Sequence, residues 1–176
     1  REKSETIDIR VNKVFELFEA KHKNDNVIIW SDLESERSAI EKKFKEYDLN
    51  SVYGSQTNKE KEDLLIGFKH GEFQILNTKA KIAGSGCNFQ HHCHTLFFAG
   101  INYKFNDFIQ AVHRVLRFKQ THEIDCYIVF TSNEHEVLKT LKDKWRKHIE
   151  LQTEMINLVR EYGLNSDKIK SDMKRQ

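Results

Sequence analysis

Val27-Ile28-Ile29-Trp30-Ser31-Asp32 is where this sequence declares its architecture. Four consecutive apolar residues without alternation fit a short strand buried on both faces, not one with a solvated side. Polar residues bound the run, Lys23 to Asn26 before it and Ser31-Asp32 after it. On either side the spacing turns helical. Ile7 to Lys21 carries Val11, Val14, Phe15, Leu17 and Phe18 on one stripe, and Leu33 to Tyr47 carries Leu33, Ile40, Phe44 and Tyr47. The cycle then repeats, with a strand at Ser51 to Tyr53, a turn at Gly54-Ser55, a helix from Asn58 to Lys69 and a strand at Phe73 to Leu76. A Gly-rich connection at Ala83 to Gly86 precedes a strand at Thr95 to Ala99, a helix over Phe105 to Phe118 and a strand at Cys126 to Phe130.

Strands alternating with helices at this spacing predict a three-layer α/β fold, a parallel sheet with helices on both faces joined by right-handed crossovers. From Glu134 onward no strand pattern survives. Leu138, Leu141, Trp145, Ile149, Leu151, Met155, Ile156 and Val159 predict one long helix running to Gly163, with a short polar helix after Asn165. The expected organisation is a domain over 1–133 and a helical extension over 134–176.

Composition narrows the function classes. The 29 basic and 27 acidic residues of this 176-residue chain leave a net charge of +2, which excludes a histone-like cation. Any contact with nucleic acid must therefore come from a local patch. No apolar run is long enough for a membrane span. Three cysteines do not make a disulfide framework in a chain of this size, so a reduced, cytoplasmic setting is expected. There is no proline, and the chain opens on Arg1-Glu2-Lys3-Ser4 without Met; the expectation is a piece of a longer protein.

In open parallel sheets ligands bind beyond the carboxyl ends of the strands. Two of the strand exits stand out. In Thr78-Lys79-Ala80-Lys81-Ile82-Ala83-Gly84-Ser85-Gly86-Cys87-Asn88-Phe89-Gln90, glycines allow close backbone approach to a phosphate and Lys79 and Lys81 supply charge beside it. The alternative is a loop that merely needs positive φ. In Gln110-Ala111-Val112-His113-Arg114-Val115-Leu116-Arg117-Phe118-Lys119-Gln120, a continuous helix would put Gln110, Arg114 and Arg117 on one face and Val112, Val115 and Leu116 on the sheet. No acidic residue stands four positions from either arginine, and phosphate matches their planar forked donors. A solvated basic face is the competing reading. No Gly-x-x-x-x-Gly-Lys-Ser/Thr loop and no acidic box after a strand occur, so this chain offers half of a nucleotide site.

These elements together resemble the second, C-terminal RecA-like domain of superfamily-two helicases, and within them the SWI/SNF-type DNA translocases, from Ile7 to Ser132. Val27 to Ser31 resembles motif IV. Tyr53-Gly54-Ser55-Gln56-Thr57-Asn58-Lys59-Glu60 resembles the family's Gly-Ser turn and helix, and Phe68 with Phe73 to Leu76 the strand after it. Asn77 to Phe89 resembles motif V, and Gln110 to Gln120, with its Gln-x-x-x-Arg-x-x-Arg-x-x-Gln pattern, resembles motif VI.

The resemblance implies that Arg114 and Arg117 are finger arginines reaching ATP phosphates across an interdomain cleft. It further implies that Gly84, Gly86, Asn88, Gln110 and Gln120 shape or contact the nucleotide side. Ser31, Gly54, Ser55, Thr78, Lys79 and Lys81 would contact the DNA backbone. ATP with Mg²⁺, an N-terminal RecA-like lobe of the same chain and duplex DNA are the implied substrate and partners; no membrane is involved. Two departures stand against the eukaryotic remodellers: the stretch Lys79-Ala80-Lys81-Ile82 lengthens motif V, and Lys119 replaces a usual Gly. The wording Lys-x-Lys-Ile-Ala-Gly-x-Gly-x-Asn-x-Gln is similar to bacterial and phage helicases.

The remaining candidates are weaker. Cys87, His91, His92, Cys93 and His94 crowd together but lack the paired spacing of a zinc site, so no metal is expected. Catalysis by Cys93 has no supporting pattern, Cys126 reads as a small buried residue of a core strand, and Trp30 reads as core at the sheet edge. The basic helix after 134 reads as an amphipathic helix packed on the domain, or as a brace facing DNA or a partner. Against the motor lobe stands a second class of function, a non-catalytic nucleic-acid- or partner-binding module with the same fold.

Overall fold

A computed structural model describes residues 6–82, 88–102, 104–116 and 120–162, the side chains of 161 and 162 excepted. Its centre is a five-stranded, wholly parallel sheet of β1 (Val27–Trp30), β2 (Leu49–Val52), β3 (Ile75–Thr78), β4 (Thr95–Phe98) and β5 (Asp125–Ile128), in the order β2-β3-β1-β4-β5. β1 is the middle strand, with Val27 level with Ile75 of β3 on one side and Thr95 of β4 on the other. All four of its residues are buried, as a run without alternation requires.

Helices cover both faces. α1 (Ile7–Leu17), continued by a π-turn at Phe18–His22, and α2 (Glu34–Lys43) cover the first. Ile7, Val11, Val14, Phe18, Ile40 and Phe44 pack there against Val27, Ile29, Ile75 and Phe97. Edge-to-face contacts among Phe15, Phe18, Phe44 and Tyr47 fill the layer. α3 (Asn58–Lys69) and α4 (Phe105–Val112) cover the second face, where Phe68 meets Phe73 and Phe89, and Phe98 lies between Trp30 and Phe108. Thr57 starts α3 with a capping box, its hydroxyl accepting the Glu60 amide at 3.2 Å while the Glu60 carboxylate accepts the Thr57 amide at 2.7 Å.

The three-layer expectation holds, with several local corrections. β3 runs from Ile75 to Thr78 rather than from Phe73 to Leu76, and its extension is held because Asn77 and Thr78 fit inside the sheet. Asn77 Nδ2 donates to Ser51 Oγ and to the Arg37 carbonyl, both at 3.2 Å, and Thr78 Oγ1 donates to the Val52 carbonyl at 2.8 Å. Trp30 lies on the central strand, not at an edge. β5 is an edge strand, so Cys126 is exposed and not a core residue. α4 stops at Val112, short of the expected Phe118.

The chain divides into two compact units between Leu138 and Lys139, within the long helix α5 (His135–Tyr162). Beyond the division α5 is largely exposed, including Ile149, Leu151, Met155, Ile156, Leu158 and Val159. The expected stop at Gly163 and the polar helix after Asn165 lie outside the described residues. Among the described residues no helix is long and apolar enough to cross a membrane.

Candidate nucleotide and nucleic-acid site

Because every strand is parallel, the segments following β1 to β5 all emerge at one end of the sheet. After β1, the Ser31 amide donates to the Thr78 carbonyl at 3.0 Å, and the Ser31 side chain is buried with its hydroxyl unpartnered. After β2, Gly54 and Ser55 are exposed. Their turn is fixed from behind by Gln56, whose Oε1 accepts the Tyr53 amide at 2.9 Å and whose Nε2 donates to the Ser51 carbonyl at 3.1 Å. Lys61 adds a bond to the Gly54 carbonyl at 3.0 Å. After β3, Lys79 is half-buried with its ammonium 4.0 Å from Glu34, whereas Lys81 is exposed.

The expected nucleic-acid contacts therefore fall into two sets. Gly54, Ser55 and Lys81 face solvent, and half-buried Lys79 does so in part. Ser31 and Thr78 are inside, and the Thr78 hydroxyl is committed to β2.

The arginine segment departs from the helix the spacing suggested. His113 caps α4, and Arg114 stands in a turn where the amides of Arg114 and Val115 reach back three residues, to Ala111 at 3.3 Å and Val112 at 3.1 Å, before the Leu116 amide reaches back four, to Val112 at 2.9 Å. Gln110 and Arg114 are thus not successive rows of one helical face. Val115 is buried as expected, but Leu116 is 45% exposed. The cause is tertiary: the Arg114 carbonyl accepts the Phe89 amide at 3.0 Å, which competes with continuing the helix.

Gln120 strengthens that link by donating to the carbonyls of Gln90 at 3.3 Å and Val115 at 3.2 Å. The motif-V end and the arginine turn are in this way one unit, with the Asn88 Oδ1 buried beside it and without a partner. Gln110 is exposed. Gly84, Gly86, Cys87 and Arg117 lie outside the described residues.

What the sequence reading missed is a buried charge cluster at the same end. Arg10, fully buried on α1, donates from Nε to the Ala99 carbonyl at 2.8 Å and from a terminal nitrogen to Glu36, also fully buried. Its other terminal nitrogen lies 3.7 Å from Glu134. The second Glu36 oxygen accepts the amides of Asp32 at 2.8 Å and Leu33 at 3.0 Å, and Glu134 accepts the Thr131 amide at 3.0 Å. One guanidinium thereby ties the exits of β1, β4 and β5. The available signal was a charge on the apolar stripe of Ile7, Val11 and Val14.

Cysteine chemistry finds no support here. Cys93 is fully buried, its thiol pushed up to about 12 by burial, and its Sγ donates to the Thr95 carbonyl at 3.4 Å. Among the described residues no group of three or more side chains could hold a metal ion.

Taken together these features define an α/β lobe whose strand-exit loops are tied to one another, with Gly54, Ser55 and Lys81 exposed among them. Residues 9–119 match the helicase conserved C-terminal domain, and the chain belongs to that family. Its five-stranded parallel sheet between helices is a RecA-like fold. The C-terminal part of the Fun30 ATPase domain is similar at a TM-score of 0.66 and 19% identity over 75% of this chain and 44% of that one. The C-terminal domain of the DEAD-box protein Dbp5 is similar at 0.65 and 14% identity over 77% of this chain and 78% of that one. Domain 2 of the DEAD-box helicase Mss116p, bound to an RNA duplex, is similar at 0.62 and 19% identity over 80% of this chain and 56% of that one. The chain thus spans less than half of the Fun30 chain and little more than half of the Mss116p chain. No curated protein matched the sequence.

Proposed function

We propose that this lobe is the second half of an ATP-dependent DNA translocase of the SWI/SNF type, of bacterial or phage origin and cytoplasmic. ATP would bind between it and an N-terminal lobe that supplies the phosphate loop and the Mg²⁺ ligands. The observation that carries the reading is the joining of Arg114 to the motif-V end through the Phe89 amide and Gln120, at the ligand end of a parallel sheet. Arg114 and Arg117 act as finger arginines, meeting charge that develops on the γ-phosphoryl group. Mg²⁺, when bound, neutralises the phosphate oxygens. Asn88 offers its unpartnered oxygen on the nucleotide side, together with Gly84, Gly86, Gln110 and Gln120.

On the nucleic-acid side Gly54, Ser55, Lys79 and Lys81 contact the backbone, while Ser31 and Thr78 hold the loops that present them. Residues 1–133 form the motor lobe and 134–176 an extension to it. The RNA duplex bound to Mss116p domain 2 gives RNA a specific claim as the alternative substrate.

Phosphate release tests the reading. The isolated chain should turn over no ATP, and the two-lobed protein should turn over ATP faster with duplex DNA than with duplex RNA. Turnover by the isolated chain contradicts the half-site; acceleration by RNA alone replaces DNA with RNA.

A further inference from the structure

β1 and β4 are neighbours whose continuations part, since β1 leads through α2 to β2 while β4 leads through α4 to β5 on the other side. Such a divergence is where a parallel sheet opens a crevice for ligands. A side-chain bond spans it here. Asn102 Nδ2 donates to Asp32 Oδ1 at 2.9 Å, and Asn102 Oδ1 accepts the amide of Lys104 at 2.8 Å. Lys104 is the N-cap of α4, and its own side chain makes no capping bond, so Asn102 fixes where that helix begins. On the β1 side, Glu36 holds the amides of Asp32 and Leu33. Arg10 then closes the circuit from Glu36 back to the Ala99 carbonyl, just ahead of the β4 exit loop.

The members of this circuit differ in burial. Arg10 and Glu36 are wholly enclosed and form its frame, whereas Asp32 and Asn102 are half-buried. A bond between two half-buried side chains contributes modestly to folding and can be made and broken without dismantling the core. α4 is short, and the Arg114 turn follows directly from its last residues. A change in how α4 starts is therefore delivered to Arg114 within about three helical turns.

We propose that Asp32 and Asn102 are positioning residues which transmit nucleic-acid engagement at Lys79, linked to the β1 exit through Glu34 and the Ser31–Thr78 bond, to the arginine turn. The proposal rests on the motor-lobe reading above.

A double-mutant cycle tests it, because spatial continuity alone does not establish coupling. ATP turnover of the two-lobed protein is measured with and without duplex DNA for wild type, Asp32→Ala, Asn102→Ala and the double variant. KM for ATP should be unchanged in all four, and the unstimulated rate should fall less than the stimulated one. Stimulation by DNA should fall by about 2- to 30-fold in each single variant and no further in the double. Asp32→Asn, which keeps an acceptor oxygen, should restore it.

Hydrogen exchange on the chain described here provides the second readout. Asp32→Ala should speed exchange at the Lys104 amide, and Asn102→Ala at the Asp32 and Leu33 amides, with the Ile28 amide unaltered. Additive losses, full stimulation in Asn102→Ala, or no change in exchange would overturn the relay and leave the motor reading standing. A wild type whose turnover ignores nucleic acid would overturn both.

Discussion

The two ends of the sheet each hold a buried polar cluster, and the clusters are built differently. At the strand exits, Arg10, Glu36 and Glu134 direct charged groups at backbone carbonyls and amides of the loops that would meet ligands. At the strand starts, His22 uses side-chain partners. Its Nδ1 lies 2.8 Å from Asp25 and 3.3 Å from the Thr95 hydroxyl, its Nε2 lies 3.0 Å from the Tyr127 hydroxyl, and its ring packs edge-on against Phe97. The exit cluster thus sets loop geometry, while the start cluster braces strands to one another.

The largest effect should come from breaking the exit cluster. Arg10→Met leaves the Glu36 carboxylate buried without its cation, at a cost of about 3–5 kcal/mol in unfolding free energy. His22→Phe at the other end loses hydrogen bonds only, and should cost about 1–2 kcal/mol. Urea unfolding of the two variants checks the contrast, and equal losses would abolish it.

Gly100→Ala comes next. A Cβ there would stand 2.5 Å from Glu36 Oε1, and that carboxylate is too firmly held to move away. A loss of about 1–3 kcal/mol is expected, as for other overpacked sites. Combining it with Glu36→Gln should leave the clash in place, whereas Glu36→Ala should relieve it.

The smallest effects concern pH, and they separate the ends by range. At the start end, burial and the neighbouring His122 lower the His94 pKa from 6.5, with Asp25 opposing; the two rings lie 4.2 Å apart, edge to face. The folded state then binds that proton less readily than the unfolded chain, so stability is complete above pH 6.5 and declines as pH falls toward the folded value. His94→Phe should flatten that decline in thermal melts between pH 7.5 and pH 5.5.

At the exit end, the Thr57 side-chain and backbone hydrogen bonds lower the Glu60 pKa from 4.5. Its contribution is present above that value and vanishes as pH falls through the folded one. The difference in Tm between wild type and Glu60→Ala should therefore close only in acid.

The sheet was legible wherever local pattern and burial agree. Val27 to Trp30 is apolar throughout and lies in the middle of the sheet, and Thr57-x-x-Glu60 ahead of an apolar stripe marks the start of α3 where spacing placed it. Reading failed where a tertiary partner overrides the local signal. Phe73 looks more like a strand residue than Asn77 does, until Ser51 and the Arg37 carbonyl take the Asn77 Nδ2 donors. The 110–120 segment has helical spacing throughout, but the Phe89 amide takes the Arg114 carbonyl and the helix ends.

Arg10 is the plainest case. An arginine on a helix reads as solvated, and its partners Glu36 and Ala99 are 26 and 89 positions away along the chain. The site's residue types could be read from motif order, but their positions depended on contacts that no short window contains.

The most direct test of the central claim is ATP turnover by the two-lobed protein carrying Arg114→Ala, at saturating duplex DNA, with nucleotide binding measured alongside. A finger arginine predicts a fall in kcat of about 10³-fold or more with nucleotide still bound. Turnover at the wild-type rate would contradict it, and would assign the lobe to nucleic-acid or partner binding.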